Sequence, residues 1–128
     1  MLKGNKLMFL ALALLAPLFL IGCQSNNLDL SDDVTEIEVF KSDSDELIAA
    51  IDDADFIDKL VNELDNARTK TTANIDYRSP DYELFFKNND KTIFHIGYYQ
   101  EVMDLGINGR YLDDDGLIYG AELQLPID

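Results

Sequence analysis

The single histidine and the paired carboxylates are the side chains of this sequence that could do chemistry. His95 could act as a general base, but a base needs a positioned partner within hydrogen-bond reach. No Ser-His-Asp or Cys-His arrangement can be built from the spacing, so a half-exposed strand position suits His95 better than a catalytic one. Carboxylates pair at Asp32-Asp33 and Asp52-Asp53 and run together over Asp113, Asp114 and Asp115. Glycoside hydrolysis needs two carboxyl groups flanking a sugar cleft. With 25 acidic residues among 128, such pairs arise by chance, and there is no tryptophan to form a sugar platform. Calcium gives a sharper reading. Placing Gly116 at the glycine position of a helix–loop–helix calcium loop puts Asp113 and Asp115 at ligand positions and Glu122 at the closing one. Tyr111 falls where the first aspartate belongs, and the flanks read as strands. The competing reading of the same residues is an Asp-Gly turn, with Gly116 supplying positive φ. No other metal candidate and no cofactor motif is present, so neither a cofactor nor an enzymatic activity is expected.

Charge narrows the partners. Lys3 and Lys6 lie in the first 22 residues and every acidic residue lies beyond them. The remaining eight basic residues therefore face 25 acidic ones, a net charge of −17. Nucleic acid is excluded as a partner, because its phosphates would be repelled. Anionic lipid headgroups are repelled too, so the domain should stand off a membrane surface. Cationic partners and divalent ions are attracted.

The lone cysteine, Cys23, can form neither an intramolecular disulfide nor a thiolate metal cage. Its surroundings supply a reason for it. A short basic start is followed by an apolar run over residues 7–21 and then by Leu20-Ile21-Gly22-Cys23. That order resembles the lipobox of bacterial lipoprotein precursors. The apolar run is shorter than the ~20 residues a spanning helix needs, and Pro17 interrupts it. The resemblance implies cleavage before Cys23 and two or three acyl chains on the mature cysteine, which hold firmly where one chain would not. The expected organisation is a signal peptide over 1–22, a lipidated tether over 23–33 and one domain over 34–128. The expected address is the extracytoplasmic face of a cell membrane.

The elements that must position any site are legible by period. Residues 34–40 (VTEIEVF) alternate as a strand, with Ile37 and Val39 on one face and Glu36, Glu38 and Phe40 on the other. Residues 47–51 (LIAAI) read as the returning strand of a hairpin. Asp53 is the predicted N-cap. After it Phe56, Ile57, Leu60, Val61 and Leu64 recur at helical spacing, with Ala67 extending the stripe. Residues 69–79 read as a loop ending before Pro80. Residues 81–87 and 91–99 read as a second hairpin about the turn at Asn88-Asn89-Asp90. Further turns are expected over 100–104 and at Asn108-Gly109, then a last hairpin about the run 113–116. Pro126 ends regular structure. Strands, one helix and then hairpins argue α+β, one amphipathic helix packed on a mostly antiparallel sheet.

The helix FIDKLVNEL, a polar loop and then SPDYELFFKNNDKTIFHIGYY together resemble the YhfM-like group of small Gram-positive lipoproteins. The likeness covers roughly residues 56–105 and implies a fold and an address without a mechanism. From Gly106 onward the tail is short, with no closing helix. The six tyrosines, with Phe85, Phe86 and Phe94, either line a binding face or pack core and edges. Tyr98 and Tyr99 alternate, so at least one of them should point outward. The expected role is therefore a membrane-anchored, non-enzymatic binding module for an envelope protein or a cell-wall component. The alternative is an acidic calcium-binding module.

Overall fold

A computed structural model describes residues 26–127; the lipobox and Cys23 lie outside the described residues. Among these residues there is one helix, α1 (Ala54–Asn66), and no helix long and apolar enough to cross a membrane. Seven strands form one antiparallel sheet: β1 (Glu36–Lys41), β2 (Leu47–Ile51), β3 (Thr69–Thr71), β4 (Tyr82–Asn88), β5 (Lys91–Asp104), β6 (Asn108–Asp113) and β7 (Leu117–Tyr119). Their spatial order is β2-β1-β4-β5-β6-β7-β3. The α+β expectation therefore holds in outline, with the sheet dominant.

The path follows from that order. The β1–β2 hairpin forms one edge, α1 crosses one face, and β3 pairs with β7 at the far edge. The chain then returns over the opposite face to place β4 beside β1. Residues 69–79 were expected to be loop throughout, but Thr69, Lys70 and Thr71 pair with Tyr119, Ile118 and Leu117. Only the long-range partner makes that exposed, polar tripeptide a strand, so no local pattern marks it.

Helix α1 starts where Asp53 caps it. The Asp53 carboxylate accepts from the backbone N–H groups of Asp55 and Phe56 at 3.0 and 3.4 Å. Ile57, Leu60 and Leu64 are buried against the sheet, and Phe56 and Val61 flank them. At the other end, the Asn27 side-chain amide donates to the Leu64 and Ala67 carbonyls, both at 2.8 Å. The Ala67 N–H also donates to the Leu64 carbonyl, at 3.4 Å, so the amide adds a second donor there and supplies one to Ala67 at the helix end. Leu28 is buried beside them, and its N–H donates to Asp65. The second half of the segment expected as tether therefore docks on the domain.

The inner face carries the main core: Ile37 and Val39 from β1, Leu84 and Phe86 from β4, Ile96 and Tyr98 from β5, and Tyr111 and Tyr119 beyond. The helix covers only part of it. The C-terminal segment covers more, burying Ala121 and Leu125 without regular structure. Two tyrosines tie that segment down. The Tyr111 hydroxyl donates to the Leu123 carbonyl at 2.6 Å, and the Leu125 N–H donates to the Tyr98 hydroxyl at 3.1 Å. Regular structure thus ends at Tyr119, earlier than Pro126.

Two expected turns sit elsewhere. Strand β5 runs on through residues 100–104, with a break in its register against β6 between Tyr98 and Met103. The reversal falls at Leu105, Gly106 and Ile107, with Gly106 at φ +102°. Asn108 and Gly109 open β6 instead. An added Cβ on Gly109 would lie 1.9 Å from the Tyr119 carbonyl oxygen, so this glycine is there for close strand approach and not for a turn.

Two substitutions separate the layers of this packing. Leu60→Ala should destabilise the chain by about 2–5 kcal/mol, because Leu60 is fully enclosed. Tyr111→Phe should cost only about 1 kcal/mol, since it removes one hydrogen bond and keeps the ring. Urea unfolding followed by circular dichroism measures both.

Candidate functional site

Alternation sends Glu38 and Phe40 of β1, Glu83 and Phe85 of β4, and His95 of β5 to the face opposite the helix. Pairing of β1 with β4 and of β4 with β5 brings them together, with Glu38 beside Phe85 and Phe85 beside His95. Phe40 and Phe85 meet edge to face at 5.4 Å, and Phe85 lies 4.7 Å from the His95 ring. A shallow groove of about 320 Å³ lies over them, lined by Glu38, Phe40, Asp45, Glu83, Phe85 and Thr92. Its floor is aromatic and its rim is acidic.

His95 links three elements. Its Nε2 lies 2.7 Å from Glu83 Oε1 on β4, and its Nδ1 lies 2.8 Å from Asp114 Oδ1 in the β6–β7 turn. Carboxylates only accept, so the doubly protonated ring satisfies both contacts and the neutral ring only one. The His95 and Glu83 side chains are 29 % and 28 % exposed. Pairs this wet contribute on the order of 1 kcal/mol or less. The Ser42 hydroxyl donates to the other Glu83 oxygen at 3.0 Å. The order is therefore Ser42–Glu83–His95–Asp114, with a carboxylate between hydroxyl and imidazole. In a nucleophilic triad the imidazole touches the hydroxyl.

The other acidic candidates have local work. Asp53 caps α1. Asp113 Oδ1 accepts from the N–H groups of Asp115 and Leu117 at 3.0 and 2.9 Å, and its Oδ2 accepts from the Tyr119 hydroxyl at 3.1 Å. With Gly116 at φ +82°, this is an Asp-Gly turn joining β6 to β7. Glu122 lies beyond β7, where its backbone carbonyl accepts from Arg110. Among the described residues no group of three His, Cys, Asp or Glu side chains is placed to hold a metal ion, Asp113, Asp115 and Glu122 included. Asp32 and Asp33 line a larger hollow, about 740 Å³, between residues 26–34 and α1. That hollow is the space beside the docked tether. The aromatic groove is the better candidate because hydrophobic surface and charge coincide there.

The tyrosines do not line it. Tyr82, Tyr98, Tyr99, Tyr111 and Tyr119 are all buried, and only Tyr77 is largely exposed. Phe86 and Phe94 meet edge to face at 5.5 Å and belong to the inner layer. Tyr98 and Tyr99 do point to opposite faces, yet both are enclosed, against the expectation that one would be outward. The reason is the returning segment, residues 72–81, which straps the outer face over β5–β7. Beneath it Tyr99, Leu105, Leu112 and Ile118 form a second small core with Ile75. Pro80 lies over Gly97, where an added Cβ would come within 2.5 Å of the proline ring. The Tyr99 hydroxyl donates to the Arg78 carbonyl at 2.7 Å, and the Arg78 guanidinium lies 5.1 Å from the Tyr99 ring centre. The strap stops short of Phe40 and Phe85.

An antiparallel α+β domain with an aromatic, acid-rimmed groove on its open sheet face is the class these features define. Comparison with family models, with curated proteins and with solved structures gives no match to this chain.

Burial pushes the Tyr99 phenol up to about 12, with Tyr77 adding to the shift and Arg78 opposing it. In the unfolded chain it ionises near 10. The stability it contributes is therefore complete below pH 10 and is lost as pH rises through about 12. Absorbance titration should show Tyr99→Phe losing one late phenolate, with a shallower fall of stability between pH 10 and 12 than the parent chain.

Proposed function

We propose that this chain is a lipoprotein precursor whose mature form is held by lipid on Cys23 at the extracytoplasmic face of a cell membrane, and that its domain is a non-enzymatic binding module. The order and spacing of Leu20-Ile21-Gly22-Cys23 after a short apolar run support the address. One observation carries the binding reading. Chain segments cover the inner face and one side of the outer face, while Phe40 and Phe85 lie under an open, acid-rimmed groove. An envelope protein or a cell-wall component bearing positive charge is the partner class that suits it. The order Ser42–Glu83–His95 supports a non-enzymatic role.

The docking of Asn27 gives the tether a length. Three residues lie between Cys23 and Asn27, four Cα–Cα steps with a reach of at most about 14 Å. The helix C-terminus then sits near the bilayer. The aromatic groove, on the opposite face of the sheet, stays open to other molecules of the envelope.

Lipid labelling in cells with a palmitate analogue tests the address. The parent chain should take up label and sediment with membranes, and Cys23→Ser should lose both properties. Membrane sedimentation of Cys23→Ser at parental levels would contradict the anchor. In-cell crosslinking tests the module, since a partner crosslinked to the parent should be lost or reduced with Cys23→Ser.

A further inference from the structure

Strand β2 is one edge of the sheet and pairs only with β1. Its sequence, LIAAI, has no charge and no proline. Exposed edges invite pairing by another strand, and proteins usually block them with lysine, proline or a very short strand. The opposite edge follows that rule: β3 is three residues long and carries Lys70. The β2 edge does not. One bulge interrupts it, between the pairs Val39–Ala49 and Phe40–Leu47, so Ile48 is the extra residue. Ile48 packs against the core. Leu47 is 49 % exposed, and no other described segment hydrogen-bonds to β2.

The charges beside β2 say what could pair there. Asp45 and Glu46 precede it, and Asp52 and Asp53 follow it. A second copy of this chain is disfavoured in either orientation. An antiparallel pair sets Asp45-Glu46 of one copy against Asp52-Asp53 of the other, and a parallel pair sets like ends together. A basic strand meets the opposite situation. On the outer face Ala50 is the cross-strand neighbour of Glu38, and Glu38 rims the aromatic groove. An added strand would lie about 4.8 Å outside β2 and about 9.6 Å from β1. A lysine or arginine opposite Ala50 would cross only a methyl group to reach the Glu38 carboxylate. Lys87 lies 3.3 Å from one Glu38 oxygen, which leaves the second to accept.

We propose that β2 is a docking edge for an extended, lysine- or arginine-bearing segment of another protein, which adds to the sheet as an eighth strand and sets a basic side chain over Ala50 toward Glu38. Main-chain pairing supplies the attachment, and the acidic surround supplies the choice of sign. This rests on the binding-module reading and names the partner class and the place.

The test uses the full-length chain in neutral detergent micelles with two synthetic peptides, one alternating valine and lysine and one alternating valine and glutamate. Amide hydrogen exchange is followed by mass spectrometry. The lysine peptide should slow exchange over residues 47–51 by about tenfold, as newly formed amide hydrogen bonds do, and the glutamate peptide should leave it unchanged. Ala50→Lys should abolish the slowing while exchange in the helix stays as in the parent. Glu38→Gln should weaken binding of the lysine peptide. Equal slowing by both peptides, slowing only away from β2, or none up to millimolar peptide would overturn the proposal. Slowing over β4 and β5 alone would remove the β2 edge yet leave a binding module. Absence of any slowing, together with absence of crosslinked partners in cells, would remove both.

Discussion

One helix cannot cover seven strands. Adjacent strands lie about 4.8 Å apart, so the sheet is roughly 29 Å across, while a helix with its side chains is about 10 Å wide. Everything distinctive in this fold answers that mismatch. On the inner face α1 is supplemented by two irregular segments, residues 28–34 before β1 and residues 121–127 after β7. Irregular chain can seal a core only if its backbone groups find partners. Tyr98 and Tyr111 provide them for the segment after β7, and Asp65 accepts the Leu28 N–H in the segment before β1. On the outer face the return from β3 to β4 serves as a strap over β5–β7, held by Thr72, Arg78 and Pro80. The strap has to reach β4, and there it ends. What remains uncovered is the corner made by β2, β1 and β4.

That corner is where the candidate site lies, and its chemistry follows from how it is left. Phe40 and Phe85 stay half-buried because no segment reaches them. Glu38 and Glu83 keep Lys87 and His95 as neighbours, so their charge is partly answered and still accessible. The edge of β2 adjoins the same corner. A surface with aromatic floor, acidic rim and an open strand edge suits the basic extended segment proposed above. The heavy negative charge of the domain, which disfavours nucleic acid and self-association, works in the same direction.

Much of this was legible from the residues. Alternation in VTEIEVF and DYELFFK separated Ile37, Val39, Leu84 and Phe86 from Glu38, Phe40, Glu83 and Phe85. The Asp53 cap and the stripe through Leu64 located the helix. The groove was not visible as a unit, because Phe40 and Phe85 become neighbours only when β1 sits beside β4, a pairing with a helix and two strands between its partners in sequence. The strap and β3 were missed for a related reason. The tripeptide TKT carries no pattern of its own, and only Leu117, Ile118 and Tyr119 opposite make it a strand. Asn108-Gly109 misled because its glycine meets a steric demand from Tyr119 and not a turn. The acidic run at 113–116 resembled a calcium loop, and Asp113 instead commits both oxygens to its own turn and to Tyr119.

The most direct measurement of the open corner is hydroxyl-radical footprinting of the chain in intact cells against the same chain purified in detergent. Phe40, Leu47 and Phe85 should be labelled in the purified chain and protected in cells, where the proposed partner would cover them. Tyr77 and Val102, exposed elsewhere, should be labelled alike in both. Equal labelling of Phe40, Leu47 and Phe85 in the two settings would contradict a binding role for this corner.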